Sequence, residues 1–299
     1  MKKNKGLLVS FLVMVLWGLL FPTVKLGYRV FGIESIGDTL VFAGFRFLVC
    51  GGVITAFAAC KMPGEFKALK SAWWRVLLAG MFAIVLHYGF TYTGLRTTDG
   101  SKTAILKQLG AVFYICFAAL FFPEDKLTLP KVGGLVLGLM GIFAINANLS
   151  GFSFHIGDVL ILGASFCTVF SNVISKKAFQ EVTPIVLTGV SQLFGGIVLL
   201  GAGALTGGEI TYAVPATPAQ FGVFTVIVAA SVISYCLWFM TVQKEKLSKL
   251  FIIKFSEPLF AAVFSWILLG ENIFRINYAM AFLLISGGIL IANKKQEHM

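Results

Sequence analysis

The feature that most constrains this chain is a succession of apolar runs, separated by short polar gaps. A helix needs ~20 mostly apolar residues to cross a bilayer. Runs of that kind lie near 6–26, 37–60, 73–95, 102–122, 130–148, 156–175, 184–204, 219–241, 249–269 and 275–292. Pro123, Pro130, Pro184, Pro215 and Pro218 fall at or near the gaps, as helix punctuation should. The chain is 58% hydrophobic and only 12% charged, whereas soluble domains are roughly half apolar and a quarter charged. A soluble core cannot absorb this much apolar surface, but a bilayer can. The expected fold is therefore all-α: a polytopic membrane protein with ten transmembrane helices.

A net charge of +11 would suggest nucleic acid in a soluble protein. Here the basic residues sit between the apolar runs, so they read as topology and no nucleic-acid partner is expected. With the N-terminus inside, sixteen Lys and Arg fall in cytoplasmic segments and five outside: Lys25, Arg29, Arg96, Lys102 and Arg275. This positive-inside bias predicts that both termini are cytoplasmic and that the chain lies in the cell membrane. Arg46, Lys107 and Lys254 remain inside spans. Lys2, Lys3 and Lys5 followed by Gly6 to Phe21 look superficially like a signal peptide, but no small-residue cleavage site follows, so the segment is read as the first span. The five cysteines, Cys50, Cys60, Cys116, Cys167 and Cys236, form no CxxC and no Cys/His cluster, so neither disulfide, metal nor cofactor is expected.

Sliding the chain on itself by 147 residues exposes a repeat. Tyr88 falls on Tyr235, Ser101-Lys102 on Ser248-Lys249, Lys107 on Lys254, Phe113 on Phe260, Glu124 on Glu271, Gly141 on Gly288 and Asn146 on Asn293. The register holds without gaps from about residue 80 to 146, while the first two helices of each half align weakly. The halves are taken as 1–149 and 150–299. Five helices per half is an odd number, so the second copy enters the membrane from the opposite side. Inverted repeats of this kind characterise many transporters, with a site near the bilayer midplane where the repeats meet.

Several stretches carry a family resemblance. The run from Ser101 to Asn146, with Phe122-Pro123-Glu124 and the Gly-rich Val132 to Ile145, resembles the half-repeat of EamA-type members of the drug/metabolite transporter superfamily. So do Glu257-Pro258-Leu259 through Leu269-Gly270-Glu271 to Gly287-Gly288, Trp17-Gly18 and Arg46-Phe47. The resemblance covers essentially the whole chain and is specific for fold, weak for substrate. It implies alternating access around a cavity lined by helices 1, 3, 4, 6, 8 and 9. Family substrates include amino acids, sugars, phosphorylated sugars and nucleotide sugars. The related triose-phosphate translocators hold phosphate with basic residues on the fourth and ninth helices, places similar to those of Lys107 and Lys254. One departure stands out: the family's helix-breaking proline is present at Pro258, but its mate is Ala111. The fourth helix is therefore expected to be straighter than the ninth.

A charge at a helix centre costs ~3 kcal/mol on insertion scales, so Lys107 and Lys254 need a role. Each sits about five residues inside its expected helix start, where snorkelling is one reading. Their matched positions favour a shared anion site or gate, suited to carboxylate or phosphate. Glu257 stands three residues after Lys254. It is read either as an internal ion-pair partner on the same helix face or as a proton carrier. His87 is a satisfied polar contact or a proton relay. Arg46 either faces the cavity or bonds carbonyls of a broken neighbour. Trp17, Tyr88, Tyr235 and Trp238 are candidate cavity walls with polar tips. Asn172 is a substrate contact or an interhelical hydrogen bond. Gly133, Gly134, Gly138, Gly141, Gly287 and Gly288 read as packing faces, which makes a homodimer an option.

An intramembrane enzyme is the least favoured class: no HExxH or GxSxG is present, and no Asp lies deeper in a span than its first turn. A channel or scramblase would require a continuous polar lining that the scattered polar residues do not supply. The favoured reading is a secondary transporter of a small anionic or zwitterionic metabolite, amino acid included, with export slightly preferred. A cationic or neutral drug exporter and a sugar-phosphate-type exchanger are the alternatives.

Overall fold

In the computed structural model, residues 5–95, 100–145, 155–270 and 276–293 are described. Among them every regular element is helical. Helices α1 (Lys5–Phe31) and α2 (Ile36–Lys61) are followed by α3 (Leu69–Gly80), which continues through a π-helical turn, Met81–Leu86, into α4 (His87–Gly94). Next come α5 (Gly100–Phe121), α6 (Leu129–Ile145), α7 (Ile156–Ala178), α8 (Pro184–Leu205) and α9 (Pro218–Lys244). The apolar segment after them is cut into α10 (Leu247–Lys254) and α11 (Glu257–Leu269), and α12 (Ile276–Asn293) closes the series. Among the described residues, seven helical segments are long and apolar enough to cross a membrane, with three shorter apolar helices beside them. The boundaries lie within a few residues of the ranges read from the sequence. Lys2, Lys3, Arg96, Asn146, Glu271, Arg275, Lys294 and Lys295, which entered the charge count or the repeat, lie outside the described residues.

Local chemistry explains the ends. Ser35 caps α2, its Oγ accepting from the Asp38 N–H at 2.9 Å. Thr217 and Gln220 form a capping box on α9. Proline opens α8 and α9 where its missing N–H costs nothing. Gly270 ends α11 at φ 69°, a left-handed conformation that favours glycine.

Packing is by close helix pairs. The most extensive contacts join α2 to α8 and α6 to α12. Both seams run on glycine. A Cβ on Gly44 would lie 2.6 Å from the Leu200 backbone nitrogen, and one on Gly134 would lie 2.7 Å from the Gly288 carbonyl. Gly138 and Gly141 sit equally close to Phe255 and Ile285. The Gly-rich faces read from the sequence are thus largely spent inside the chain. Helix α1 packs on α9 and α11, and α7 packs on α4 and α5. The outer surface is apolar, with Leu120 80% and Leu129 84% exposed, as a lipid-facing surface requires.

Candidate functional site

The helix break organises the site. Helix α10 ends at Lys254, and Phe255 and Ser256 turn with i→i+3 bonds to Ile252 and Ile253. Proline at the start of α11 cannot donate the bond that would carry the helix on. The mate helix, α5, has no such proline and runs unbroken past Lys107. This matches the expected difference between the two. Discontinuous helices with free backbone ends are a recurrent way to build an intramembrane site.

Both lysines are the eighth residues of their helices, α5 and α10, about 10 Å along the axis from the start. That is deeper than the sequence reading, because both helices begin two residues earlier. The Lys254 ammonium lies 5.2 Å from the centroid of the Trp17 ring, and that of Lys107 lies 5.3 Å from the Phe21 ring. Trp17 and Phe21 are one turn apart on α1, so two repeat-related cations rest against neighbouring rings of one helix. Each contact is a cation–π interaction of ~0.5–2 kcal/mol.

The ion pair with Lys254, one of the two readings of Glu257, is not among the pairs of the described residues. The break removes the continuous helix that would have placed them on one face, and Lys254 turns to Trp17 instead. Glu257 Oε2 is buried without a hydrogen-bond partner. Its neighbours in the field include Lys107, which also senses Lys254.

The aromatic residues join into one layer. Trp17 meets Tyr235 at 5.8 Å and Trp238 at 4.9 Å between centroids. The Tyr88 and Tyr235 hydroxyls are 2.9 Å apart, so these repeat mates bond to each other. Trp238 Nε1 donates to Asn172 Oδ1 at 2.7 Å, and Asn172 Nδ2 donates to the Thr168 carbonyl at 2.7 Å. Asn172 therefore acts first as an interhelical tie. His87 follows the π-helical turn, and such turns are frequent at functional sites. Its Nδ1 lies 3.0 Å from the Ala164 carbonyl and 3.1 Å from Thr168 Oγ1. The carbonyl can only accept, so Nδ1 carries the proton. Arg46 is 3% exposed, its guanidinium 4.3 Å from the Phe47 centroid and 5.3 Å from that of Tyr88. Its Nε has no partner.

A polar cluster at the start of α10 was not foreseen. Asp125, between α5 and α6, is 2% exposed. It accepts from Tyr114 Oη at 3.1 Å, Lys131 Nζ at 2.7 Å, the Ser248 N–H at 3.0 Å and Ser248 Oγ at 2.5 Å. Around it, Lys246 Nζ donates to the Glu124 carbonyl, and Lys176 Nζ donates to the Val242 and Glu245 carbonyls that end α9. Arg75 pairs with Glu181, tying α3 to the α7–α8 turn. Tyr114 is fully buried in this cluster.

An apolar-surfaced bundle with a broken helix, and with ionisable groups gathered at the break, defines a polytopic membrane protein. The sequence profile of the EamA-like transporter family matches residues 4–147 and again 155–293, and the chain belongs to that family. It is a multi-pass transporter of the cell membrane. Among its relatives, a probable amino-acid metabolite efflux pump of Salmonella typhimurium is 24% identical over 96% of this chain and 94% of that protein. An S-adenosylmethionine/S-adenosylhomocysteine transporter of Chlamydia muridarum is 22% identical over 78% and 76%. An uncharacterised transporter of Archaeoglobus fulgidus is 23% identical over 98% and 99%. A solved crystal structure shares the fold with a TM-score of 0.78 at 17% identity, over 97% of this chain and 96% of that one.

Proposed function

We propose that the chain is a ten-span secondary transporter that moves an amino acid or similar zwitterionic or anionic metabolite by alternating access. The spans are α1, α2, α3–α4, α5, α6, α7, α8, α9, α10–α11 and α12, with both termini cytoplasmic. Residues 1–149 and 150–299 are inverted repeats. Support comes from the packing: α2 and α8 are repeat mates, as are α6 and α12, and each pair meets directly. The α1 contacts with α9 and α11 have their counterparts in the α7 contacts with α4 and α5.

The observation that carries the substrate class is the convergence of Lys107 and Lys254 on α1, with the unpartnered Glu257 oxygen close by. The lysines offer charge to a carboxylate, and Glu257 offers it to an ammonium. A zwitterion satisfies both; a simple cation would meet two like charges. Trp17, Tyr88, Tyr235 and Trp238 form the wall against the solute's apolar part, with Asn172 and Arg46 behind it. Glu257 and His87 are the groups placed to exchange a proton during the cycle. The amino-acid efflux relative agrees with this class and with export. The Gly-rich faces of α6 and α12 are occupied by each other, so the reading needs only one chain.

The test is thermal stabilisation of the purified protein against amino acids, organic acids, sugar phosphates and organic cations. A ligand present at ~100 times its Kd stabilises the folded state by ~2.7 kcal/mol. Stabilisation by a zwitterion that disappears in Lys254→Gln is expected. Stabilisation by cations alone would replace this reading with the drug-exporter one.

A further inference from the structure

We propose that Asp125 is the lock of the gate on its own face of the membrane, and that α10 carries the state of that lock to Lys254. This rests on the alternating-access reading above. Three segments converge on Asp125: α5 through Tyr114, the start of α6 through Lys131, and the start of α10 through both polar groups of Ser248. Helix α10 then runs eight residues, ~12 Å, and ends at Lys254. Six of those residues are buried, Ser248 among them. At one end the helix is therefore pinned by a carboxylate, and at the other it delivers a site lysine to Trp17.

The packing beyond the break differs from the packing before it. Helix α10 rests on α5, α6, α12 and α1, whereas α11 leans chiefly on α1 and, to a lesser extent, α12. The two halves of the broken helix share α1 and α12, but the packing on α5 and α6 is made by α10, with Phe255 and Ser256 as the joint. Contact between α5 and this segment is made on the Asp125 side. Release of Asp125 frees α10 to leave α5 there, and moves Lys254 with it.

The lock has no equal at the repeat-related positions. Adding 147 to Asp125, Lys131 and Tyr114 gives Asn272, Tyr278 and Ala261 in the sequence. The charge pair and its phenolic donor have no counterpart there. The Lys249–Glu245 pair is 26% and 24% exposed, open enough for solvent to screen it, while the Asp125–Lys131 pair is 2% and 13% exposed. The Asp125 tie is thus one that the sequence does not repeat in the other half, and the unliganded transporter rests sealed on the Asp125 face. A solute that engages Lys254 can open that face only through its preference for the released position of α10.

The experiment uses the full chain with its five cysteines replaced and Thr168→Cys, beside His87, as reporter. The protein is reconstituted in liposomes, and a membrane-impermeant maleimide is applied from each face. Labelling in this reference is expected from the face opposite Asp125 and slow from the Asp125 face. Asp125→Asn keeps the shape of the side chain and removes its charge. It is expected to speed labelling from the Asp125 face by about tenfold or more, the effect of losing one charge-assisted hydrogen bond on an equilibrium. Ser248→Ala removes one donor and is expected to give a smaller rise in the same direction; it carries the test if Asp125→Asn does not fold. One-sided labelling that neither variant changes, in protein of unaltered melting temperature, overturns the lock and leaves alternating access standing. Equal labelling from both faces in the reference overturns both.

Discussion

The hydroxyl contact between Tyr88 and Tyr235 allows a sharp energetic test of how the two halves meet. The two oxygens are 2.9 Å apart, and the side chains are repeat mates on α4 and α9. Tyr→Phe removes one hydroxyl and leaves the ring, so packing against Phe47, at 4.8 Å from Tyr88 and 6.0 Å from Tyr235, is kept. In either single variant the remaining hydroxyl stays buried with its partner gone, which costs ~1–3 kcal/mol. In the double variant no hydroxyl is stranded, so the loss is less than the sum of the singles. Interhelical hydrogen bonds in membranes give coupling energies that average ~0.6 and reach ~1.7 kcal/mol. This pair is part-buried, and a coupling of ~0.6–1 kcal/mol is expected. The assay is a double-mutant cycle of reversible unfolding in mixed micelles, with Tyr88→Phe, Tyr235→Phe and the double variant. Losses that add without coupling would refute the claim that these hydroxyls serve each other, and with it the direct apposition of the repeats at this level.

Other outcomes follow from the same geometry. Gly44→Ala must move the Leu200 backbone by about 0.8 Å to restore 3.4 Å contact. It should destabilise by ~1–3 kcal/mol, whereas Gly201→Ala, which meets nothing within 4 Å, should be neutral or slightly stabilising. Melting curves of the two variants decide this. Asn172→Ala strands Trp238 Nε1 and should cost ~1–3 kcal/mol in the same assay. Burial alone would raise the Asp125 carboxyl, but hydrogen bonds from Lys131 and Ser248 outweigh it and hold the group below 3.8. Tyr114, Glu124 and Lys176 complete its charged and titratable surroundings. A depressed carboxyl stabilises the closed face above its ordinary pKa and is lost as pH falls through the lowered value. Accessibility from the Asp125 face should therefore be flat between about pH 5 and 8 and rise only in stronger acid; a midpoint near neutrality would assign the gate to another group.

Much of the architecture was legible because a bilayer imposes a length on every apolar run, and the helix ranges follow from that. The break in α10–α11 was legible at Pro258, and the continuity of α5 at Ala111, because proline's missing N–H acts locally. The role of the glycines was half legible: their spacing announces close packing, but which helix fills the notch is a tertiary fact. Of the two readings of Glu257, the pairing with Lys254 fails for the same reason that Pro258 was useful, since a helix that ends at Lys254 has no further turn on which to keep an i,i+3 face. Asp125 was missed because it stands in a loop and its principal partner, Ser248, is 123 residues away. Nothing local marks a loop carboxylate as buried. The π-helical turn before His87 also left no trace in the pattern of apolar residues.

The most direct measurement of the central claim is counterflow of radiolabelled amino acids into proteoliposomes preloaded with unlabelled solute, comparing the native chain with Lys107→Gln and Lys254→Gln. The account predicts saturable accumulation of at least one amino acid by the native protein and its loss in both variants, which should remain folded. Undiminished accumulation in either variant would contradict the lysine-centred site.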